Sequence, residues 1–275
     1  EDAAFVEWLD DDHFVFLGYR RYDVVGDEDP TLTADADTAL GILRSLDRSA
    51  YRTPVPLRDL PAALRARVTG SQPLIVTKTN AEATVHKAAR MDYVGVKHFD
   101  DDGVVRGERR FLGLFTSKAL ATPVQETPIL RRTLQRVLDL DGAPPGSHDH
   151  KEIVAIFDSM PRSELFWRDA EGVWRDVRTV MALEREHDVT LTVRPDPLAR
   201  GVAMMVVMPR ERFDADVRRA IQAHLAERVE AEAVDYTLAM GEEEAQVRFH
   251  FFFVTDRTAD DLDAAALEAE VRELS

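Results

Sequence analysis

The last third of the chain switches between two hydrophobic periods in a set order, and few folds accept that order. Val189–Arg194 and Ala203–Met208 read as strands. Asp214–Val229 puts Val217, Ile221, Leu225 and Val229 in one row of a helix. Val234–Ala239 and Val247–Val254 are again strands, separated by the polar stretch Gly241–Glu244, and a helix begins near Ala259. Strand, strand, helix, strand, strand, helix is a ferredoxin-like arrangement with its last strand moved to the front. An antiparallel sheet covered by helices on one face would bury these stripes, so the class expected is α+β.

The first part of the chain is also rich in strands. Ala3–Leu9 reads as a short amphipathic helix and His13–Val25 as a strand. The acidic stretch Gly26–Asp37 contains Pro30 and reads as a loop. Ala39–Leu46 and Leu57–Val68 read as helices. Strands are expected at Pro73–Thr79 and Ala83–Lys87 around a turn at Asn80–Glu82, and at Asp92–Phe99 and Val104–Thr116 around Asp100–Gly103. The sum is one mainly antiparallel sheet of about five strands. Helices follow: one opened by Thr127 and Pro128, one from Asp149 with Asp149 and Glu152 spaced as a capping box, and a third over Asp176–Glu186. These readings suggest two domains, residues 1–165 and 173–275, the second truncated at its C-terminal end, with the boundary between Met160 and Asp188.

Composition narrows the function classes. The formal net charge is −16, a surface that repels nucleic acid and anionic membranes. With no cysteine there is no disulfide scaffold, thiolate metal site or cysteine nucleophile, which fits a cytoplasmic protein. The longest apolar run, Gly201–Met208, is far too short to span a bilayer. The chain begins at Glu1, and its last helix has no stop signal, so a piece of a longer chain is expected.

No glycine-rich nucleotide loop is present, and no nucleophile–base pair stands out. His148-Asp149-His150 could supply two metal ligands, but the helix-capping reading is preferred. Asp100–Gly103 lacks the spacing of a calcium loop and reads as a hairpin turn. Asp10-Asp11-Asp12-His13 reads as a solvated turn and not an acid–base pair. Phe249–Phe253 reads as core packing and not as a base-stacking platform. The stretch Thr77–Arg110 gathers positive charge in an otherwise acidic chain. Lys78, Asn80, His86, Arg90 and Arg110 are its candidate effector-binding or interface residues, because guanidinium groups grip carboxylates. The same residues also suit the outward face of strands balanced by nearby acids.

Several blocks, in order, resemble the N-terminal region of the large bacterial NAD-specific glutamate dehydrogenases. They are His13-Phe-Val-Phe-Leu-Gly-Tyr-Arg20, Lys78-Thr-Asn80, Thr84-Val-His86, Met91-Asp-Tyr-Val-Gly-Val-Lys97, Gly107-Glu108 with Arg110-Phe-Leu-Gly-Leu-Phe-Thr-Ser117, Pro128-Ile-Leu-Arg-Arg132, Gly146-Ser-His-Asp149, Pro161-Arg-Ser-Glu-Leu-Phe166 and Pro209-Arg-Glu-Arg-Phe213. The resemblance implies a PAS-like sheet domain followed by an ACT-like ferredoxin-fold domain in ββαββα order. It implies a parent enzyme that oxidises L-glutamate to 2-oxoglutarate with NAD. It carries over no catalytic, cofactor-binding or metal residue, so the fragment is expected to be non-catalytic and to hold no cofactor of its own. The expected partners are the remainder of its own chain, further copies in a homo-oligomer and an amino-acid effector, with no nucleic acid and no membrane. A regulatory module that senses an amino acid or metabolite and a purely structural oligomerisation module are the two readings this leaves.

Overall fold

Residues 18–22 alternate between a covered and an open side, after a bulge at residues 16–18, and that alternation organises the first sheet. The structure, a computed structural model, describes residues 1–45, 53–60, 62–83, 89–183, 188–196, 201–239 and 246–275. Its architecture is α+β with antiparallel sheets, and the chain divides into two compact units, Glu1–Arg132 and Thr133–Ser275.

In the first unit, helix α1 (Asp2–Trp8) leads through a wide turn at Leu9–His13 into β1 (Phe14–Val25). Then come β2 (Thr31–Gly41), the two-residue β3 (Val55–Pro56), α2 (Ala62–Thr69), β4 (Leu74–Ala83), β5 (Ala89–Phe99) and β6 (Val105–Phe115). The sheet order is β3-β2-β1-β6-β5-β4, and every pairing is antiparallel. Tyr22 and Leu32 pack with Leu57, Leu60 and Val68 at one end of the covered face. Leu43, Met91, Leu112 and Leu114 form a second cluster beside them. Lys97 ties α2 to the sheet by donating to the carbonyls of Arg67 and Gly70, where a helix end leaves acceptors unspent. Burial lowers its ammonium pKa to about 8, with Arg67 adding to the effect.

Four local readings are corrected. Residues 31–41 are a strand, although the sequence suggests a loop and then a helix over Ala39–Leu46. Leu32 and Ala34 point to the core beside Tyr22 while threonines and aspartates face outward, and that acidity hides the alternation. The turn expected at Asn80–Glu82 is a bulge within one strand, β4; most of the strand expected at Ala83–Lys87 lies outside the described residues. Only 62–69 of the helix expected at Leu57–Val68 is α-helical, after a short 3-10 turn at Leu57–Asp59. Helix α5 (His148–Ser159) is capped by Ser147, whose hydroxyl accepts from the His150 N–H at 3.2 Å, and not by Asp149. Gly146, at φ 80°, turns the chain so that Ser147 reaches the cap first.

Where the sequence expects the Asp100–Gly103 hairpin, the turn forms. Gly103 has φ 77°, and the Asp100 carboxylate accepts from the N–H of Asp102 and Val104. Close strand approach also constrains Gly113, where a Cβ would collide with the Val15 carbonyl and the Phe14 ring. Backbone cannot be relieved by a rotamer change. Gly113→Ala is therefore expected to destabilise the first unit by about 1–3 kcal/mol; an unchanged denaturant midpoint for that unit would contradict the close approach.

The first unit also holds the short α3 (Ser117–Ala121) and the start of α4 (Pro128–Asp141). The second holds the rest of α4, with α5, α6 (Arg162–Leu165), α7 (Ala170–Leu183), β7 (Thr190–Pro195), β8 (Gly201–Pro209), α8 (Ala215–Arg228), β9 (Ala233–Ala239), β10 (Gln246–Val254) and α9 (Ala264–Glu273). The helices expected to close the first domain thus pack within the second unit. The four-stranded sheet has the order β7-β8-β10-β9, all antiparallel. Asp214 caps α8 by accepting from Asp216 and Val217. Ile221 and Leu225 of α8 and Leu267 and Val271 of α9 bury one sheet face against Val206, Phe249, Phe251 and Phe253, so the aromatic run is core. The sequence suggests burial of one face only. In the structure β8 is buried along its whole length, on both faces.

Candidate functional site

Each unit carries a buried polar group of side chains on a sheet face. In the first unit it lies between the two apolar clusters. Strands β1 and β6 pair Arg20 with Arg110 and Tyr22 with Glu108, and β5 adds Gly95 opposite Arg110 and Lys97 opposite Glu108. Alternation puts Arg20, Tyr22, Tyr93, Glu108 and Arg110 on one face. The Arg110 guanidinium lies 3.9 Å from the Tyr22 ring centre and 5.0 Å from that of Tyr93, and its Nε donates to the Tyr93 hydroxyl at 3.0 Å. Glu108 Oε1 is 3.9 Å from Arg110 Nε, an ion-pair distance with no hydrogen bond. Burial raises the Glu108 carboxyl pKa, against the pull of Arg110 and Arg67. The carboxyl occupies the space that a side chain at residue 95 would need, so a larger residue there would displace it. Arg20 is wholly buried. Its Nη2 donates to the Leu43 carbonyl, and Nε and Nη1 meet no hydrogen-bond partner.

Among the residues singled out from sequence, the side chains that the structure describes do not converge. Lys78 pairs with Asp92 at 2.7 Å, and Asp92 also accepts from the Phe115 N–H. Asp92 is three residues from Gly95 on one strand, so Lys78 and Asp92 sit on the face opposite Arg110. Arg90 stands across from Glu82 on β4. Asn80 belongs to β4, and His86 lies outside the described residues. Of Lys78, Arg90 and Arg110, whose side chains the structure describes, only Arg110 joins the buried group. Arg20 and Glu108 stand in blocks that carry the resemblance, but neither they nor Tyr22 are among the candidate site residues, because a polar residue in a strand reads as outward-facing.

In the second unit the polar group lies on the sheet face opposite the phenylalanine core. His250 of β10 and Arg194 of β7 meet Glu164 of α6 and Asp176 of α7. His250 Nδ1 is 3.1 Å from Glu164 Oε2, and Arg194 Nη2 is 3.8 Å from the same oxygen. Asp176 accepts from Arg168 at 2.7 Å and from Arg194. Burial alone would raise the Glu164 pKa, but His250, Arg194 and Arg168 more than offset it and hold the carboxyl at about 2. This is an ion-pair network that fastens helices to a sheet.

The motifs considered for chemistry resolve into structure. Asp10, Asp11 and Asp12 are exposed, and Lys118 donates to the Asp11 carboxylate. His13 is buried, bonded to the Trp8 carbonyl at 2.7 Å and stacked on the Trp8 ring. His148 is on the surface in the first turn of α5. Among the described residues, no group of three or more His, Cys, Asp or Glu side chains could hold a metal ion, and no helix is long and apolar enough to cross a membrane.

Residues 127–186 match the family model described as glutamate dehydrogenase, helical motif 1, and residues 190–275 match glutamate dehydrogenase, ACT2 domain. The chain is 31% identical over 277 residues to the NAD-specific glutamate dehydrogenase of Halomonas elongata, covering 100% of this chain and 17% of that protein. It is 29% identical to the Pseudomonas aeruginosa protein of the same name, over 98% of this chain and 17% of the relative. With the Mycobacterium tuberculosis namesake it shares 26% identity, over 86% of this chain and 13% of the relative. The chain thus spans about one sixth of the length of its first two relatives.

Proposed function

For a chain related along its length to the large NAD-specific glutamate dehydrogenases, with their helical motif 1 and ACT2 domain, we propose a non-catalytic regulatory role that senses an amino acid or metabolite. The parent reaction is L-glutamate with NAD and water giving 2-oxoglutarate, ammonium and NADH. In this reading the first sheet is PAS-like, the second unit is an ACT-like ferredoxin fold in ββαββα order, and NAD binds elsewhere in the parent chain. The observation that supports sensing is the buried polar group around Arg110, which sits in the middle of a sheet face and retains unspent hydrogen-bonding atoms. Within it Arg20 is a buried cation with no ion-pair partner among the described residues, which is unfavourable unless something supplies the anion.

A second reading, pure oligomerisation, has its own support. β9 is an edge strand of the four-stranded sheet, and Tyr236 on it is 49% exposed. Calorimetric titration of the chain with glutamate, 2-oxoglutarate and the standard amino acids, beside sedimentation velocity, separates the two. Saturable heat with at least one ligand is expected. No heat from any ligand, together with concentration-dependent association, would overturn sensing in favour of assembly. NADH formation by the isolated chain from glutamate and NAD would overturn the non-catalytic role.

A further inference from the structure

Arg20 is the residue of the first unit that packing explains least. It is wholly buried, it gives one hydrogen bond to a backbone carbonyl, and two of its nitrogens are unspent. A buried cation without a counter-charge is strongly unfavourable. Its cross-strand partner, Arg110, is a second cation on the same face, and like charges placed directly opposite repel. Two pairs further along the ladder, Glu108 is buried with Oε1 unspent. That carboxyl is too far from Arg110 for a hydrogen bond. Three cations (Arg20, Arg110 and Lys97), one acid, two orphan donors and one orphan acceptor therefore occupy one patch of adjacent strands. Elsewhere Lys78 is neutralised by Asp92, and Asp176 by Arg168 and Arg194.

We infer that this patch binds a free α-amino acid, with the ligand carboxylate on the unspent nitrogens of Arg20 and the ligand ammonium on Oε1 of Glu108. The inference rests on the sensing role and names its site and ligand class. Arg20 and Glu108 are diagonal neighbours on paired strands, which places their backbones roughly 7–8 Å apart and lets both side chains reach one small molecule. Tyr22 and Tyr93 hold the Arg110 guanidinium between their rings, so it adds positive potential without having to move. The carboxylate supplies the anion that Arg20 lacks, and the ammonium keeps Glu108 ionised. The patch is closed over in this structure. The Ile42–Arg44 turn that accepts from Arg20 follows Gly41, whose φ of 57° suits a pivot, so entry requires that turn to lift.

Thermal denaturation and calorimetry of the chain with each L-amino acid, and with pyruvate, 2-oxoglutarate, ethylamine and inorganic phosphate as probes, test the site. At least one amino acid is expected to raise Tm more than the matching keto acid or amine. Arg20→Met is expected to weaken that amino acid about 10- to 100-fold, the usual effect of losing hydrogen bonds to a charged group. Glu108→Gln, which keeps shape, is expected to remove the preference for the amino acid over its keto acid, and it gives the answer if Arg20→Met does not fold. An amino acid that binds both variants as tightly as the parent chain overturns the site and leaves sensing intact. Arg20-dependent binding of keto acid or phosphate alone overturns the amino-acid class. Failure of every probe overturns site and sensing together.

Discussion

Asp176→Ala is expected to destabilise the second unit by about 3–5 kcal/mol, because it strands two buried guanidinium groups. Asp176 is 2% exposed and accepts from both Arg168 and Arg194. Arg168 Nη2 and Arg194 Nε already lack partners, so no spare acceptor waits to take over. After the substitution Glu164 alone would face both arginines and His250. For a unit of this size the loss corresponds to a fall in its Tm on the order of 10 °C. The two units need separate probes, since a multidomain chain does not unfold in one step. Replacing all three partners with apolar residues (Arg168→Met, Asp176→Leu, Arg194→Met) should recover most of the loss, because the network costs desolvation as well as supplying attraction. If Asp176→Ala shifts stability by less than about 1 kcal/mol, the pairing is not what holds α7 to the sheet.

What could be read in advance follows from the range of each signal. Asp214 before an i, i+4 row and Asp100–Gly103 between apolar runs are local patterns, and both formed as expected. β2 was hidden because its outward positions are aspartates and threonines, residues that also make loops. Two-sided burial of β8 was misread: Gly201–Met208 is a continuous apolar run, which marks a strand covered on both faces, but the helix–strand order pointed to cover on one face only. The cover itself was not legible. His250 and Glu164 lie 86 residues apart, and neither neighbourhood announces the other. The first unit's buried group failed differently. Arg20, Glu108 and Arg110 stand at visible alternating positions, but strand alternation names the face and does not say which face is covered.

Acid should weaken the second unit before the neutral-pH contacts change, and Glu164 is the reason. Its folded pKa, about 2, lies below the ordinary value of 4.5. The folded state therefore holds fewer protons than the unfolded chain between those values. The stabilisation is fully present above pH 4.5 and is lost as pH falls towards 2. A shift of that size corresponds to about 3 kcal/mol, and screening removes little of it because the side chain is only 17% exposed. Glu108 in the first unit has the opposite sign. Its folded pKa is raised, so the stability linked to it is present below its ordinary pKa and is lost as pH rises through the folded value. Denaturant midpoints of each unit, measured from neutral pH down to acid, should thus diverge, the second unit falling while the first gains from Glu108. Glu164→Gln should be less stable than the parent chain at neutral pH, and the gap should close in acid. A gap that stays constant from pH 6 to pH 2 would show that Glu164 is not held ionised by His250 and the two arginines.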